Sequence, residues 1–88
     1  MTNYNVRLMD HNRCPMGTHW LMIWDADSKR EAVERYCREG THQKWEDGDI
    51  GRVHVAEDGF VGEPDDYDVT AYKTHYDGVL NFQIDHDE

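Results

Sequence analysis

The chain has few cysteines and no long apolar segment, and these two absences exclude several classes of protein. Its two cysteines, Cys14 and Cys37, are too few to hold a small fold together by disulfides. No run approaches the roughly 18 apolar residues of a membrane-spanning helix, and no charged-then-apolar leader opens the chain. We therefore expect a cytoplasmic protein with free thiols and no membrane partner.

Basic residues are scarce in the second half of the chain, where only Arg52 and Lys73 occur. Residues 46–88 contain thirteen acidic residues and carry a formal net charge of −11, whereas residues 1–45 carry +1, which together give the −10 of the whole chain. Such crowding of like charge in a domain of about 12 Å radius of gyration raises self-repulsion. A cationic partner would offset that repulsion, although an acidic surface that serves solubility alone is the competing interpretation.

Length and composition predict one ordered domain over residues 1–88, with a frayed tail at residues 85–88. The hydrophobic content of 38% is low, but the 11% of aromatic residues bury large areas when they pack. Periodic apolar segments argue against disorder.

The apolar pattern predicts an antiparallel sheet. Strands are predicted at residues 3–8, 20–24, 52–56, 60–61, 67–76 and 79–84. The run 20–24 is apolar throughout and is expected at the centre of the sheet. Two hairpins are expected, one that turns at residues 57–59 and one at Asp77-Gly78. In the second hairpin, a two-residue turn would place Lys73 opposite Phe82, whereas the three-residue loop that we favour would place Tyr72 there.

One helix is predicted at about residues 29–39. Ser28 and Glu31 fit a capping box, and Gly40 follows where a helix-terminating glycine belongs. The apolar stripe of this helix consists of Ala32, Val33, Tyr36 and Cys37. The predicted fold class is therefore α+β, a small antiparallel sheet of about four to six strands with one helix packed on one face.

Metal binding is weakly indicated. A zinc site could draw on His11, Cys14, His19, Cys37 and His42, but their spacing lacks the usual Cys-x-x-Cys and His-x-x-x-His pairs. A calcium site could draw on Asp47, Asp49, Asp65, Asp66 and Asp68, yet neither acidic cluster has the glycine and glutamate of an EF-hand loop. We predict no metal and no cofactor. A small metal-binding domain centred on His11, Cys14, Cys37 and His42 stays an alternative.

The sequence contains no motif that fixes a reaction. A phosphate-binding glycine loop, a nucleophile elbow and a Rossmann turn are all missing, so we predict no enzyme and no catalytic residues. Direct nucleic-acid binding is disfavoured as well, because the acidic half would repel phosphates and the helix cations alternate with glutamates.

The acidic second half is best interpreted as a binding surface for a basic protein. The predicted partner-binding residues are Glu57, Asp58, Glu63, Asp65, Asp66, Asp68 and Asp77. On a strand, Asp66 and Asp68 would stand about 7 Å apart, close to two steps of about 3.4 Å along one DNA strand.

These residues predict a non-enzymatic inhibitor that occupies the basic nucleic-acid-binding groove of a protein partner by nucleic-acid mimicry. By analogy alone, such a protein would suit a phage that disarms a CRISPR effector or a restriction enzyme in the host cytoplasm. The alternative is a protein-interaction module without mimicry, for example a homodimer built through Trp20, Trp24 or Trp45, whereas the mimic is expected to be a monomer.

Overall fold

A computed structural model describes residues 2–11, 20–40 and 45–87 of the chain. The described elements are β1 (Thr2–His11), β2 (Leu21–Ala26), α1 (Lys29–Arg35), β3 (Ile50–Glu57), β4 (Asp65–Lys73) and β5 (Leu80–Asp87). A π-helical turn, Tyr36–Gly40, directly continues α1. The strands form one antiparallel, curled sheet, so the fold is of the α+β kind that the sequence predicts.

The strand order in the sheet is β2-β1-β3-β4-β5. Strand β1 pairs with both β2 and β3, and β3, β4 and β5 follow one another as a meander. Strand β2 therefore lies at an edge, and its predicted central position is wrong. It pairs with β1 alone, and its apolar residues Leu21 and Trp24 are 39% and 62% exposed.

Alternate residues of the three inner strands supply most of the core. The buried strand residues are Tyr4, Val6, Leu8, Val53, Val55, Tyr67, Val69 and Ala71. The four residues of the predicted helix stripe belong to the same buried cluster, as does Trp45 from the loop before β3. Period-two alternation on the strands and the helical stripe thus identified the core from the sequence.

The start of α1 follows the predicted capping box. The Ser28 hydroxyl accepts a hydrogen bond from the backbone N–H of Glu31 at 3.1 Å, and the Glu31 carboxylate accepts one from the N–H of Asp27 at 2.7 Å. The Asp27 N–H, and after it the Arg35 guanidinium, lowers the pKa of Glu31. The α-helix is shorter than predicted because its last turn widens into the π-helical segment, where Tyr36 and Cys37 are both buried.

Arginines of α1 and of the π-helical turn contact both edge strands. The Arg30 guanidinium donates to the carbonyl of Ile84, and that of Arg38 donates to the carbonyl of Leu80 at 3.0 Å, both on β5. On the other edge, Arg35 donates to the carbonyls of Trp24 and Asp25. The basic residues of the helix are therefore engaged within the fold.

The first predicted hairpin differs from the structure. Asp58 and Gly59 do form a turn, but Phe60 and Val61 lie in the loop that joins β3 to β4 and make no strand. The backbone of Gly62 adopts a φ of 149°, and Pro64 has no N–H to donate, so residues 60–64 do not continue the ladder. Strand β3 pairs instead with β4.

The second hairpin has neither of the predicted registers. Ala71 lies opposite Phe82, which leaves a four-residue loop at residues 75–78. The Asp77 carboxylate fixes this longer loop, because it accepts hydrogen bonds from the Thr74 hydroxyl and from the Val79 N–H at 2.9 Å. The aromatic partner of Phe82 is Trp45, whose ring meets it edge-on at 5.6 Å.

Strand β5 continues to Asp87, opposite Asp66, through residues that the sequence analysis placed in a frayed tail. The ring of His86 stacks on the ring of Tyr67 in the neighbouring strand, with centroids 4.7 Å apart. Cross-strand ring contacts of this kind stabilise a strand end.

A candidate acidic binding surface

The structure separates the seven predicted binding residues into three places. Glu57, Asp58 and Glu63 lie at the end of β3 and in the loop that follows, and Asp65, Asp66 and Asp68 lie on β4. Asp77 lies in the loop beyond the far end of β4, a nine-residue strand about 30 Å long. The seven residues therefore do not form one cluster.

Strand β4 divides its own three acids between two faces. Asp66 and Asp68 share one face, and Asp65 lies on the other with the buried Tyr67 and Val69. The face of Asp66 and Asp68 also carries two basic residues, and it is called the polar face below: its residues are Asn5, Arg7, Arg52, His54, Ala56, Asp66 and Asp68.

Each acid of β4 has a basic neighbour. The Asp65 carboxylate lies 2.6 Å from the Lys29 ammonium, that of Asp68 lies 3.4 Å from the Arg52 guanidinium, and that of Asp66 contacts the His54 imidazole. The hydrogen bond to Asp65 raises the pKa of Lys29. Half-exposed pairs of this kind contribute about 0–1 kcal/mol each, so a basic partner could displace them at small cost.

Glu57, Asp58 and Glu63, called the loop acids below, are exposed and lie close together along the chain. Among the residues that the structure describes, no basic side chain pairs with any of them. The Asp58 carboxylate accepts a hydrogen bond from the Asn5 amide at 3.2 Å, and the Asp58 N–H donates to the carbonyl of Asn3 at 2.9 Å. These two bonds hold the start of the loop against β1.

A groove opens beside the loop acids, with a volume of about 350 Å³. Its lining residues are Asn5, Trp20, Ala56, Glu57, Phe60, Gly62 and Pro64. Phe60 is 59% exposed and Trp20 is 43% exposed, so the groove presents aromatic surface to solvent. The sequence pattern predicts a strand at residues 60–61 and therefore does not single out Phe60, although the adjacent Gly62 and Pro64 are signals for a loop.

Asp77 has a local structural role. The Thr74 hydroxyl and the Val79 N–H both donate to its carboxylate and lower its pKa. Its Oδ1 is therefore engaged in the hairpin loop. The length of β4 separates Asp77 from the loop acids.

The described residues of the metal candidates are engaged elsewhere. Cys37 is buried, and its burial raises the pKa of the thiol to about 12. The carboxylates of Asp47 and Asp49 accept backbone hydrogen bonds from Lys73 at 2.8 Å and from Glu46 at 2.7 Å. Within the described ranges, no three His, Cys, Asp or Glu side chains are placed to hold a metal ion. Cys14, His19 and His42, and the side chain of His11, lie outside what the structure describes.

The tryptophans proposed for a dimer contact do not share one environment. Trp45 is only 5% exposed and belongs to the core, which contradicts a role for it at an interface. Trp20 and Trp24 are exposed near and on the edge strand β2.

Over the described ranges, no helix has the length and apolar character needed to cross a membrane. No protein family model, curated protein or solved structure matches the chain.

Proposed function

We propose that the protein is a non-enzymatic inhibitor that binds the basic nucleic-acid-binding groove of a protein partner and excludes the nucleic acid from it. The observation that carries this proposal is the set of loop acids. Three carboxylates without a basic neighbour in the described part of the chain stand beside an exposed aromatic groove. Charged side chains speed association with an oppositely charged partner. Aromatic side chains that become buried on binding anchor the complex.

The partners that the basic residues 29–38 have within the chain support this proposal. Lys29, Arg35 and Arg38 pair with acids, and Arg30 bonds a strand carbonyl, all within the chain itself. Lys29, Arg35 and Arg38 are therefore paired with other acids of the chain and make no direct ion pair with the loop acids.

We further propose that α1 covers one face of the sheet and leaves the polar face for the partner. Support comes from Ala32 and Val33 of the helix, which are fully buried in the same cluster as Val6 and Val55. Asn5 and Ala56, which line the groove, lie on the polar face together with Asp66 and Asp68. The groove and the paired acids of β4 would then lie on one binding surface, which Asp58 adjoins through its hydrogen bond with Asn5, whereas Glu57, opposite Tyr4, lies on the other face of the sheet.

Mimicry of nucleic acid is the mechanism that this surface suits. Asp66 and Asp68, two residues apart on one strand, are spaced by about 7 Å, close to the axial rise of two nucleotides along one DNA strand, about 3.4 Å each. A basic groove built for phosphates would accept such carboxylates in their place. A phage protein directed against a CRISPR effector or a restriction enzyme is a setting proposed by analogy only.

A dimerisation module is the second candidate, and the exposed Leu21 and Trp24 on the edge strand β2 favour it. Sedimentation at several concentrations separates the two functions. A stable dimer that is lost in Trp24→Ala supports the module, and a monomer at all concentrations supports the inhibitor.

Affinity capture from a cell lysate tests the proposal. The baits are the wild-type protein, a loop variant with Glu57→Gln, Asp58→Asn and Glu63→Gln, and a control with Asp25→Asn, Asp27→Asn and Glu39→Gln. The control removes the same charge from exposed positions of the first half.

We expect the wild type and the control to capture a nucleic-acid-binding protein that added nucleic acid or about 0.5 M salt releases, and the loop variant to lose it. Equal capture by all three baits, or a partner that neither salt nor nucleic acid releases, would contradict electrostatic mimicry.

A further inference from the structure

The groove beside the loop acids has an uncharged side-chain lining over the described part of the chain. Glu57 lies opposite Tyr4 in the β1–β3 ladder, so its side chain belongs to the other face of the sheet. The side chains that remain to line the groove are those of Asn5, Trp20, Ala56, Phe60 and Pro64. A concave surface of aromatic and small apolar side chains with one amide suits an uncharged, largely apolar group.

Gly62 allows the Phe60 ring to lie against the loop backbone. A Cβ built on Gly62 would lie 2.9 Å from Cε1 of Phe60, and the φ of this glycine is 149°, which disfavours other residues. The ring lines the groove in this position, and Phe60 stays 59% exposed.

Arg7 holds the second aromatic side chain of the groove. Its guanidinium lies over the Trp20 ring at 4.6 Å from the centroid. The Trp20 surface that Arg7 leaves uncovered lines the groove, and Trp20 is 43% exposed. Both aromatic side chains therefore have contacts that fix them before a partner arrives, which lowers the entropy cost of binding.

Acidic side chains flank this uncharged groove. The β3–β4 register makes Asp66 a diagonal neighbour of Ala56, about 7–8 Å away. Towards β1, the Asp58 carboxylate accepts a hydrogen bond from the Asn5 amide at 3.2 Å. The complementary surface on a partner is an uncharged aromatic side chain with basic residues around it.

Protein sites for single-stranded nucleic acid have this composition, since they combine a basic channel with aromatic side chains on which the bases stack. Duplex DNA is held mainly through its phosphates and its groove edges. We infer that the partner's groove is one for single-stranded nucleic acid, and that a base-stacking aromatic side chain of the partner packs against Trp20 and Phe60. The inference rests on the proposed function and adds to it the class of nucleic acid, which net charge alone does not give.

An NMR titration of the isotopically labelled protein tests the aromatic contact. The probes are three capped peptides of equal charge, Lys-Trp-Lys, Lys-Leu-Lys and Lys-Ala-Lys. We expect the tryptophan peptide to shift the signals of Trp20 and Phe60 and to bind about threefold more tightly than the leucine peptide, because an aromatic pair contributes beyond the area that it buries. The alanine peptide should bind most weakly.

Three variants identify the source of this order. Phe60→Leu keeps an apolar side chain but removes the ring, so the preference for tryptophan over leucine should fall towards one. Ala56→Leu fills the groove and should make the three peptides equal. Val61→Ala changes an exposed neighbour outside the groove lining and should leave the order unchanged. A dispersed amide spectrum verifies the fold of each variant, and Phe60→Leu suffices if Ala56→Leu does not fold.

Release of the captured partner tests the class of nucleic acid. Single-stranded DNA and RNA oligonucleotides are compared with the same strands annealed to their complements, at equal phosphate concentration. We expect a single strand to release the partner at a several-fold lower concentration than either duplex, because only unpaired bases reach aromatic side chains.

Binding of none of the peptides, equal affinity for the tryptophan and leucine peptides, or a preference that survives Phe60→Leu would overturn the aromatic contact. Release by a duplex at the same or a lower concentration would overturn the assignment to single strands. These results leave the proposed function standing, because release by any nucleic acid shows competition. Conversely, a captured partner that no nucleic acid releases would overturn the proposed function, whatever the order of the peptides.

Discussion

The acidic side chains of this protein have different roles at different positions. Glu57 is exposed and lines a groove, whereas Asp77 accepts two hydrogen bonds within its loop and Asp49 is buried. The sequence grouped Glu57 with Asp77 because both are acidic residues near turns. Only the loop geometry, which depends on the β4–β5 register, distinguishes a carboxylate that caps a turn from one that a partner can reach.

Asp77→Asn should destabilise the β4–β5 hairpin at neutral pH. The native pKa of Asp77 is lowered by the Thr74 hydroxyl, so its ionised form contributes stability above the ordinary aspartate pKa, and that contribution is lost as the pH falls through the lowered native pKa. Urea unfolding should therefore show a larger difference between wild type and variant at pH 7 than at an acidic pH below the ordinary aspartate pKa. A difference that is the same at both pH values would refute this role of the charge.

The Cys37 thiol should be inert in the folded protein. With a pKa of about 12, roughly one thiol in ten thousand is ionised at pH 8, and burial blocks access to it. In Cys14→Ser, where Cys37 is the remaining cysteine, a thiol reagent should react only after denaturant is added. Rapid labelling of the native protein would show that Cys37 is accessible.

At the scale of secondary-structure elements, α1 and the π-helical turn together connect the two edge strands of the curled sheet. Arg30 and Arg38 bond carbonyls of β5, and Arg35 bonds carbonyls of β2. Edge strands with unpaired backbone groups can pair with another chain, and side chains that occupy their carbonyls oppose such pairing.

The double variant Arg30→Ala and Arg38→Ala should lower the free energy of unfolding by about 1–3 kcal/mol, because two charge-assisted hydrogen bonds to β5 are lost. It should also self-associate in sedimentation experiments. Arg30→Lys with Arg38→Lys keeps the charge and should be affected less. Unchanged stability and a strict monomer would mean that these arginines do not protect the edge.

Tyr36→Phe should lower the free energy of unfolding by about 0.5–1.5 kcal/mol, the usual contribution of one internal hydrogen bond. The Tyr36 hydroxyl accepts a hydrogen bond from the backbone N–H of Leu8 at 3.0 Å and so ties the π-helical turn to β1. Chemical denaturation measures the loss. Val79→Ala, an exposed position in a loop, is the control and should change the stability little.

Sequence patterns predicted the elements better than their arrangement. The alternation around Val53 and the capping box at Ser28 identified β3 and the start of α1, because both are local consequences of a few neighbouring residues. The edge position of β2 was not predictable from its apolar run, since exposed Leu21 and Trp24 resemble core residues in sequence. The β4–β5 register depends on the side-chain bonds of Asp77, which composition does not reveal.

For the whole molecule, the fold distributes the charge unevenly. The helix cations bond acids and carbonyls of the chain, and the β4 acids have basic neighbours, while the loop acids stand without one in the described residues. The sequence singled out the acidic second half as the unusual feature, but the predicted set combined residues from both ends of the sheet. The proposed binding surface therefore omits Asp77, which lies beyond the far end of β4, and adds Trp20 and Phe60.

Displacement of nucleic acid from the captured partner is the most direct test of the central proposal. Fluorescently labelled nucleic acid is bound to the partner, and the protein is titrated in at low salt and at about 0.3 M salt. Nucleic-acid mimicry predicts that the wild type displaces all of the nucleic acid at low salt and less of it at the higher salt. The loop variant should displace little at either salt concentration. A ternary complex in which the partner holds both the protein and the nucleic acid would contradict competition for one groove.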